Sequence, residues 1–139
     1  MTFGEELKIF SSKYPYQEVQ IDGVPIRYVL AGRKEAPAVV FLNGLDMQEM
    51  WIRYVDALQD DYCALMIEYP LAWDTNQKMM DGVHALMNKL GIVKPVLIGG
   101  SDGGCLAQLC AHKYPDNVSG MVLITTITVD SDYVRNIKK

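Results

Sequence analysis

The stretch Val96-Leu97-Ile98-Gly99-Gly100-Ser101-Asp102-Gly103-Gly104 decides the fold of this 139-residue chain. It holds Gly99-x-Ser101-x-Gly103 directly after the apolar run at residues 95–98 (PVLI). Directly after it, Cys105, Leu106, Leu109 and Cys110 line one side of a helix that stops at Pro115. A serine carried on a sharp turn from strand to helix presses together its neighbours two before and two after, and only glycine leaves room at both places. The turn also sets Ser101 at the N-terminus of a helix opening at Asp102. There a developing negative charge meets unpaired N–H groups and the positive end of the helix dipole. A phosphate-binding loop is the competing reading. The run GGSDGG does not fit G-x-G-x-x-G, and Cys105 stands where a P-loop needs lysine.

Outward from this turn, strand-like and helix-like segments alternate. Residues 16–22 (YQEVQID) and 26–31 (IRYVLA), joined across Asp22-Gly23, read as a hairpin. Residues 38–42 (AVVFL) form a continuous apolar run, as a strand buried on both faces requires. Met47, Trp51, Tyr54 or Val55, and Leu58 recur at helical spacing, and residues 62–69 (YCALMIEY) are the next strand, stopped by Pro70. Asp74 is placed to cap the following helix, with Gln77 three residues on. Met79, Val83, Leu86 and Leu90 form its stripe, and Gly91 ends it. Residues 121–126 (MVLITT) are a sixth strand, and residues 131–137 start a last helix. The pattern β-β-β-α-β-α-β-α-β predicts one α/β domain over residues 1–139, a three-layer α/β sandwich with a mostly parallel sheet. Ligands in such sheets bind beyond the carboxyl ends of the strands. Asn43-Gly44, Pro70-Leu71, residues 99–104 and the segment after Thr126 share that end.

Composition agrees with a globular domain. Half the residues are apolar and 22% are charged, which excludes disordered and fibrous classes. At a net charge of −4, with Lys138-Lys139 the one basic run, no nucleic-acid partner is expected. No window is apolar for long enough to suggest a membrane span, and the first ten residues do not form a secretory signal. Cys63, Cys105 and Cys110 show no CxxC spacing and read as small buried hydrophobes of a reduced, cytoplasmic protein. No metal or organic cofactor is suggested, because ligand-type clusters are absent.

A tetrahedral oxyanion needs two backbone N–H donors. Asp102, the residue after the nucleophile, supplies one, and Leu45, in the loop after the third strand, is the best candidate for the other. Together these features resemble the α/β-hydrolases of the small lipase, esterase and lactonase kind, from about Val19 to Thr126, including the 114–118 turn (YPDNV) into the sixth strand. Tyr69-Pro70-Leu71-Ala72-Trp73-Asp74 is similar to the Tyr-Pro-x-x-Trp-Asp form of the maspardin branch, where a binding or adaptor role has been favoured. The resemblance implies strand order 1-2-4-3-5-6. It also implies hydrolysis of a small-molecule ester, thioester or lactone through an acyl-Ser101 intermediate.

Three features depart from the family pattern. Asn43 replaces a histidine before Gly44. Asp102 replaces an apolar residue, so that its carboxylate either points into solvent or opposes the oxyanion. The cap region and the last two strands, whose loops supply the acid and the histidine, do not follow the sixth strand. Thr125 and Thr126 occupy one place the family uses for the acid; Asp130 and Asp132 come slightly later and read as loop solvation and a helix cap. His112, eleven residues along the helix from Ser101, is about 16 Å away by helical rise, and His84 reads as a helix-edge residue. The expectation is therefore a nucleophile half-site lacking a base, with little esterase activity in the isolated chain. The alternative is a non-catalytic binding protein on the same scaffold. The sixth strand, apolar on both faces, also expects a neighbour at its open edge: a second copy or a further part of the protein.

Overall fold

In a computed structural model, described for residues 1–130, six strands form one mixed sheet ordered β1-β2-β4-β3-β5-β6. β1 (Gln17–Ile21) and β2 (Val24–Ala31) make the antiparallel hairpin, turning at Asp22 and Gly23 with positive φ. β4 (Cys63–Glu68) pairs antiparallel with β2 and parallel with β3 (Ala38–Leu42). β5 (Val96–Gly100) and β6 (Gly120–Ile124) extend the sheet in parallel. The strand order is the one implied by the family resemblance.

Alternation along the central strands explains the three layers. Val39 and Phe41 of β3 and Ala64 and Met66 of β4 pack on one face with Trp51, Ile52 and Val55, while Val40, Leu42, Leu65 and Ile67 pack on the other with Val83, Leu86, Leu106 and Leu109. The first layer is α2 (Ile52–Leu58), entered through a 3-10 turn at Gln48–Trp51, together with α1 (Phe3–Lys13). The second is α3 (Asn76–Lys89) and α4 (Asp102–Lys113). Burying both faces of β3 and β4 is what their unbroken apolar sequence required.

Helix α1 was not expected from the sequence. Its signal was nonetheless present: Thr2 and Glu5 close a capping box, and Phe10 is its one buried residue. A second correction concerns α3. Thr75, not Asp74, is its cap, accepting from the Lys78 N–H, and Asp74 instead pairs with Lys78 across one turn. The stripe is also rotated, burying Met80 and Met87 together with Val83 and Leu86. Gly91 follows the helix at φ +70°, the left-handed position expected of it.

Strand β6 has β5 as its one sheet partner among the described residues. Met121, Val122, Leu123 and Ile124 are each 41–47% exposed, so its apolar side chains are partly uncovered on both faces. The expected last helix, with Asp132, lies outside the described residues.

Candidate active site

Ser101 sits between β5 and α4 at φ +54°, ψ −125°, a backbone conformation that a side chain with a Cβ rarely adopts. The surroundings hold it there. Its N–H donates to the Ile124 carbonyl at the end of β6 (3.0 Å), and its carbonyl accepts from the Gly104 N–H (2.9 Å) and the Thr126 hydroxyl (2.7 Å). A Cβ built on Gly99 would stand 2.5 Å from the Gly103 carbonyl oxygen, and one on Gly103 would stand 2.1 Å from the Leu42 carbonyl oxygen. The two glycines thus let α4 cross directly over the ends of β5 and β3, as the sequence motif required. Trp51, buried to 1% exposure, packs beneath Gly100. Ser101 itself is exposed.

The Asn43-Gly44-Leu45 loop leaves the end of β3 beside this turn. A Cβ built on Gly44 would lie 3.2 Å from the Asp102 Cβ and 3.6 Å from the Asp102 nitrogen, so the loop abuts the start of α4. Leu45 has φ +47° and is 78% exposed. Among the described residues, no acceptor is paired with the N–H of Leu45 or of Asp102. The fold therefore brings the loop that carries Leu45 against Asp102, the residue after Ser101. Asp102 is exposed, and its Oδ2 lies 3.6 Å from a Cβ built on Gly44, toward that loop.

A cleft of about 500 Å³ opens alongside, walled by Leu45, Tyr69, Leu71, Trp73, Met79 and Leu106, with Asn43, Asp46, Asn76 and Asp102 supplying polar groups. It lies at the carboxyl ends of β3, β4 and β5, where the topology places ligands. Cys105 also lines it, with its Sγ 3.5 Å from the Thr126 hydroxyl. All three cysteines are buried and free. Cys110 is no rival nucleophile: burial first, then the Asp81 charge, push its thiol up to about 12.

Neither histidine of the chain reaches Ser101. His112 is exposed in the last turn of α4. His84 stacks flat on Tyr114, with ring centroids 3.7 Å apart and planes at 2°. Tyr114 caps the far end of α4, thirteen residues or about 20 Å of helical rise from Ser101, so His84 stacks at the end of that helix remote from the turn. β6 ends at Ile124, so Thr125 and Thr126, expected as the end of that strand, lie just beyond it, and Thr126 has a further part: its hydroxyl ties the elbow carbonyl. Sequence reading missed that tie, because Thr126 is 25 residues from Ser101 and no local pattern joins them.

The comparisons with known proteins agree with this geometry. A family model described as alpha/beta hydrolase fold matches residues 37–137, and the chain belongs to that family. Over 119 residues it is 31% identical to proline iminopeptidase PfmaB of Pestalotiopsis fici, covering 76% of this chain and 42% of that protein. Over 121 residues it is 28% identical to the dihydrolipoyllysine-residue acetyltransferase component of the acetoin cleaving system of Cupriavidus necator, covering 81% and 32%. The chain thus spans 32–42% of the length of these curated relatives. Among solved structures it superposes on carboxylesterase CesB of Bacillus subtilis with a TM-score of 0.75 at 19% identity, over 88% of this chain and 46% of that one. That likeness speaks to the fold.

Proposed function

We propose that the chain carries the nucleophile and oxyanion half of a serine hydrolase site, acting on esters, thioesters or lactones through an acyl-Ser101 intermediate. One observation carries the reading: a serine held at φ +54° on a strand-to-helix turn, with the unpaired Asp102 N–H beside it. Such strain is maintained where the surrounding structure over-determines it, and reactive sites are where it clusters. The relatives' names add support. An iminopeptidase and an acetyltransferase component are both named for chemistry at a carbonyl carbon. Attack by the Ser101 Oγ on that carbon would place negative charge on the carbonyl oxygen, against the N–H groups of Leu45 and Asp102.

A serine hydroxyl at neutral pH needs a base to become an effective nucleophile, and His84 and His112 do not supply one. The isolated chain is therefore expected to turn p-nitrophenyl acetate over slowly, and Ser101→Ala is expected to abolish that turnover. Equal rates in the two proteins would contradict the reading. The position of both histidines favours one second reading, a binding protein that keeps the cleft without the chemistry. It predicts ligand binding that Ser101→Ala leaves unchanged, without acylation.

A further inference from the structure

We infer that Tyr69 is a positioning residue for this reaction: its buried hydroxyl, acting with the Asn43 carboxamide, holds the loop that carries the Leu45 N–H. The inference rests on the reading of Ser101 as nucleophile and deepens it.

Asn43 follows the last residue of β3, where its backbone has run out of sheet partners. Tyr69 follows the last residue of β4, the parallel neighbour of β3. Its hydroxyl donates to the Asn43 carbonyl (2.9 Å) and accepts from the Asn43 N–H (2.9 Å), so one side chain replaces a missing rung of the ladder. Tyr69 is 9% exposed and its ring lies 6.1 Å from that of Trp73, so the phenol is fixed by packing. Burial, only partly offset by the bond from Asn43, raises its pKa well above the ordinary tyrosine value and keeps the proton needed for donation. The Asn43 side chain, 1% exposed, continues the chain of contacts: its Nδ2 donates to the carbonyls of Leu45 (2.9 Å) and Gly44 (3.4 Å). These bonds turn the peptide groups of residues 44 and 45 inward and accompany the positive φ of Leu45. A buried phenol with both of its hydrogen bonds on one backbone residue is more than core packing needs. What it fixes is the stretch that abuts the Asp102 nitrogen.

The test is ¹⁵N relaxation and amide exchange on the 139-residue protein, comparing wild type with Tyr69→Phe, which keeps the ring and removes the hydroxyl. Tyr114→Phe, which removes a hydroxyl bound to Asp81 at the far end of α4, is the control. In wild type the order parameters of the Gly44 and Leu45 amides should match those of β3, roughly 0.85, and in Tyr69→Phe fall below roughly 0.6. The Asn43 amide should exchange at least about tenfold faster, as loss of one buried hydrogen bond implies. Residues 38–41 and 96–99 should not change, and Tyr114→Phe should leave the loop untouched. Any Ser101-dependent turnover of p-nitrophenyl acetate should lose about tenfold or more in kcat, with KM little altered, because oxyanion donors act in the transition state. If Tyr69→Phe does not fold, Asn43→Ala replaces it, and Leu45 alone should loosen while the Asn43 amide stays protected. Unchanged order at residues 44 and 45, or loosening spread evenly through the core, overturns the inference. Loss of loop order in a protein with no Ser101-dependent turnover supports the positioning role and counts against the nucleophile reading.

Discussion

Replacing Gly103 with alanine probes the fold and the elbow at once. The new Cβ would stand 2.1 Å from the Leu42 carbonyl oxygen, 2.3 Å from its carbon and 2.6 Å from the Asn43 nitrogen. A carbon–oxygen contact is comfortable at roughly 3.3 Å, so the start of α4 has to retreat about 1 Å from the end of β3. All three atoms are backbone, and no side chain is there to swing aside. Overpacking costs about 1–3 kcal/mol where side chains can adjust; with backbone on both sides the expected loss is at least about 3 kcal/mol. A domain of this size holds roughly 5–15 kcal/mol in all. Gly120→Ala is the reference, since a Cβ there meets nothing within 4 Å and its φ is ordinary, and its effect should stay within about 0.5 kcal/mol. The assay is urea unfolding followed by tryptophan fluorescence, to which the buried Trp51 reports directly, and by circular dichroism. A Gly103→Ala protein within about 0.5 kcal/mol of Gly120→Ala would refute the close crossing of α4 over β3, and the elbow with it.

Other expectations follow from the same structure. Burial opposes the charge on Asp81, but hydrogen bonds from Lys113, Tyr114 and Gln77 outweigh it and hold its carboxyl at about 2. A carboxyl depressed on folding stabilises above its unfolded value near 3.8 and loses that contribution as pH falls through the folded one. Asp81→Asn should thus lower the urea midpoint at pH 7, with the gap to wild type closing between about pH 4 and pH 2; a gap of constant size would show that the charge is not what matters. His84→Gln should cost about 0.5–1.5 kcal/mol through the lost stack on Tyr114, and His112→Gln less. Neither should alter Ser101-dependent turnover, and a selective loss of acylation in either would show that it reaches the site. Light scattering should find the 139-residue chain associating through the edge of β6, which has no strand partner among the described residues; a monodisperse monomer with strong amide-exchange protection at residues 121–126 would contradict this.

Much of the framework was legible because it rests on local pattern. The run AVVFL required a strand covered on both faces, and Val40 and Phe41 are indeed fully buried from opposite sides. Gly99 and Gly103 announced the elbow because the steric demand falls on residues close in sequence to Ser101. What escaped lay outside that pattern or was distant. Helix α1, with its C-cap, carries Phe3, Leu7, Phe10 and Tyr14 at helical spacing but buries only Phe10, and it stands outside the strand–helix alternation from which the fold was read. The Asp74-for-Thr75 exchange reflects two adjacent residues of similar capping ability, separated only by the backbone conformation at Thr75. The tie from Thr126 and the pairing of Tyr69 with Asn43 join residues about 25 positions apart, brought together only when the parallel strands align. Asn43 stood out in the sequence as a departure from the family pattern. Only the structure gives it work, as the donor that folds the loop back on itself.

The most direct test of Ser101 as a nucleophile is reaction of the 139-residue chain with a fluorophosphonate ester, followed by mapping of the adduct by mass spectrometry. Slow labelling is expected at one position, the Ser101 hydroxyl, and none in Ser101→Ala. Labelling spread over other serines, or an adduct yield that Ser101→Ala leaves unchanged, would contradict it.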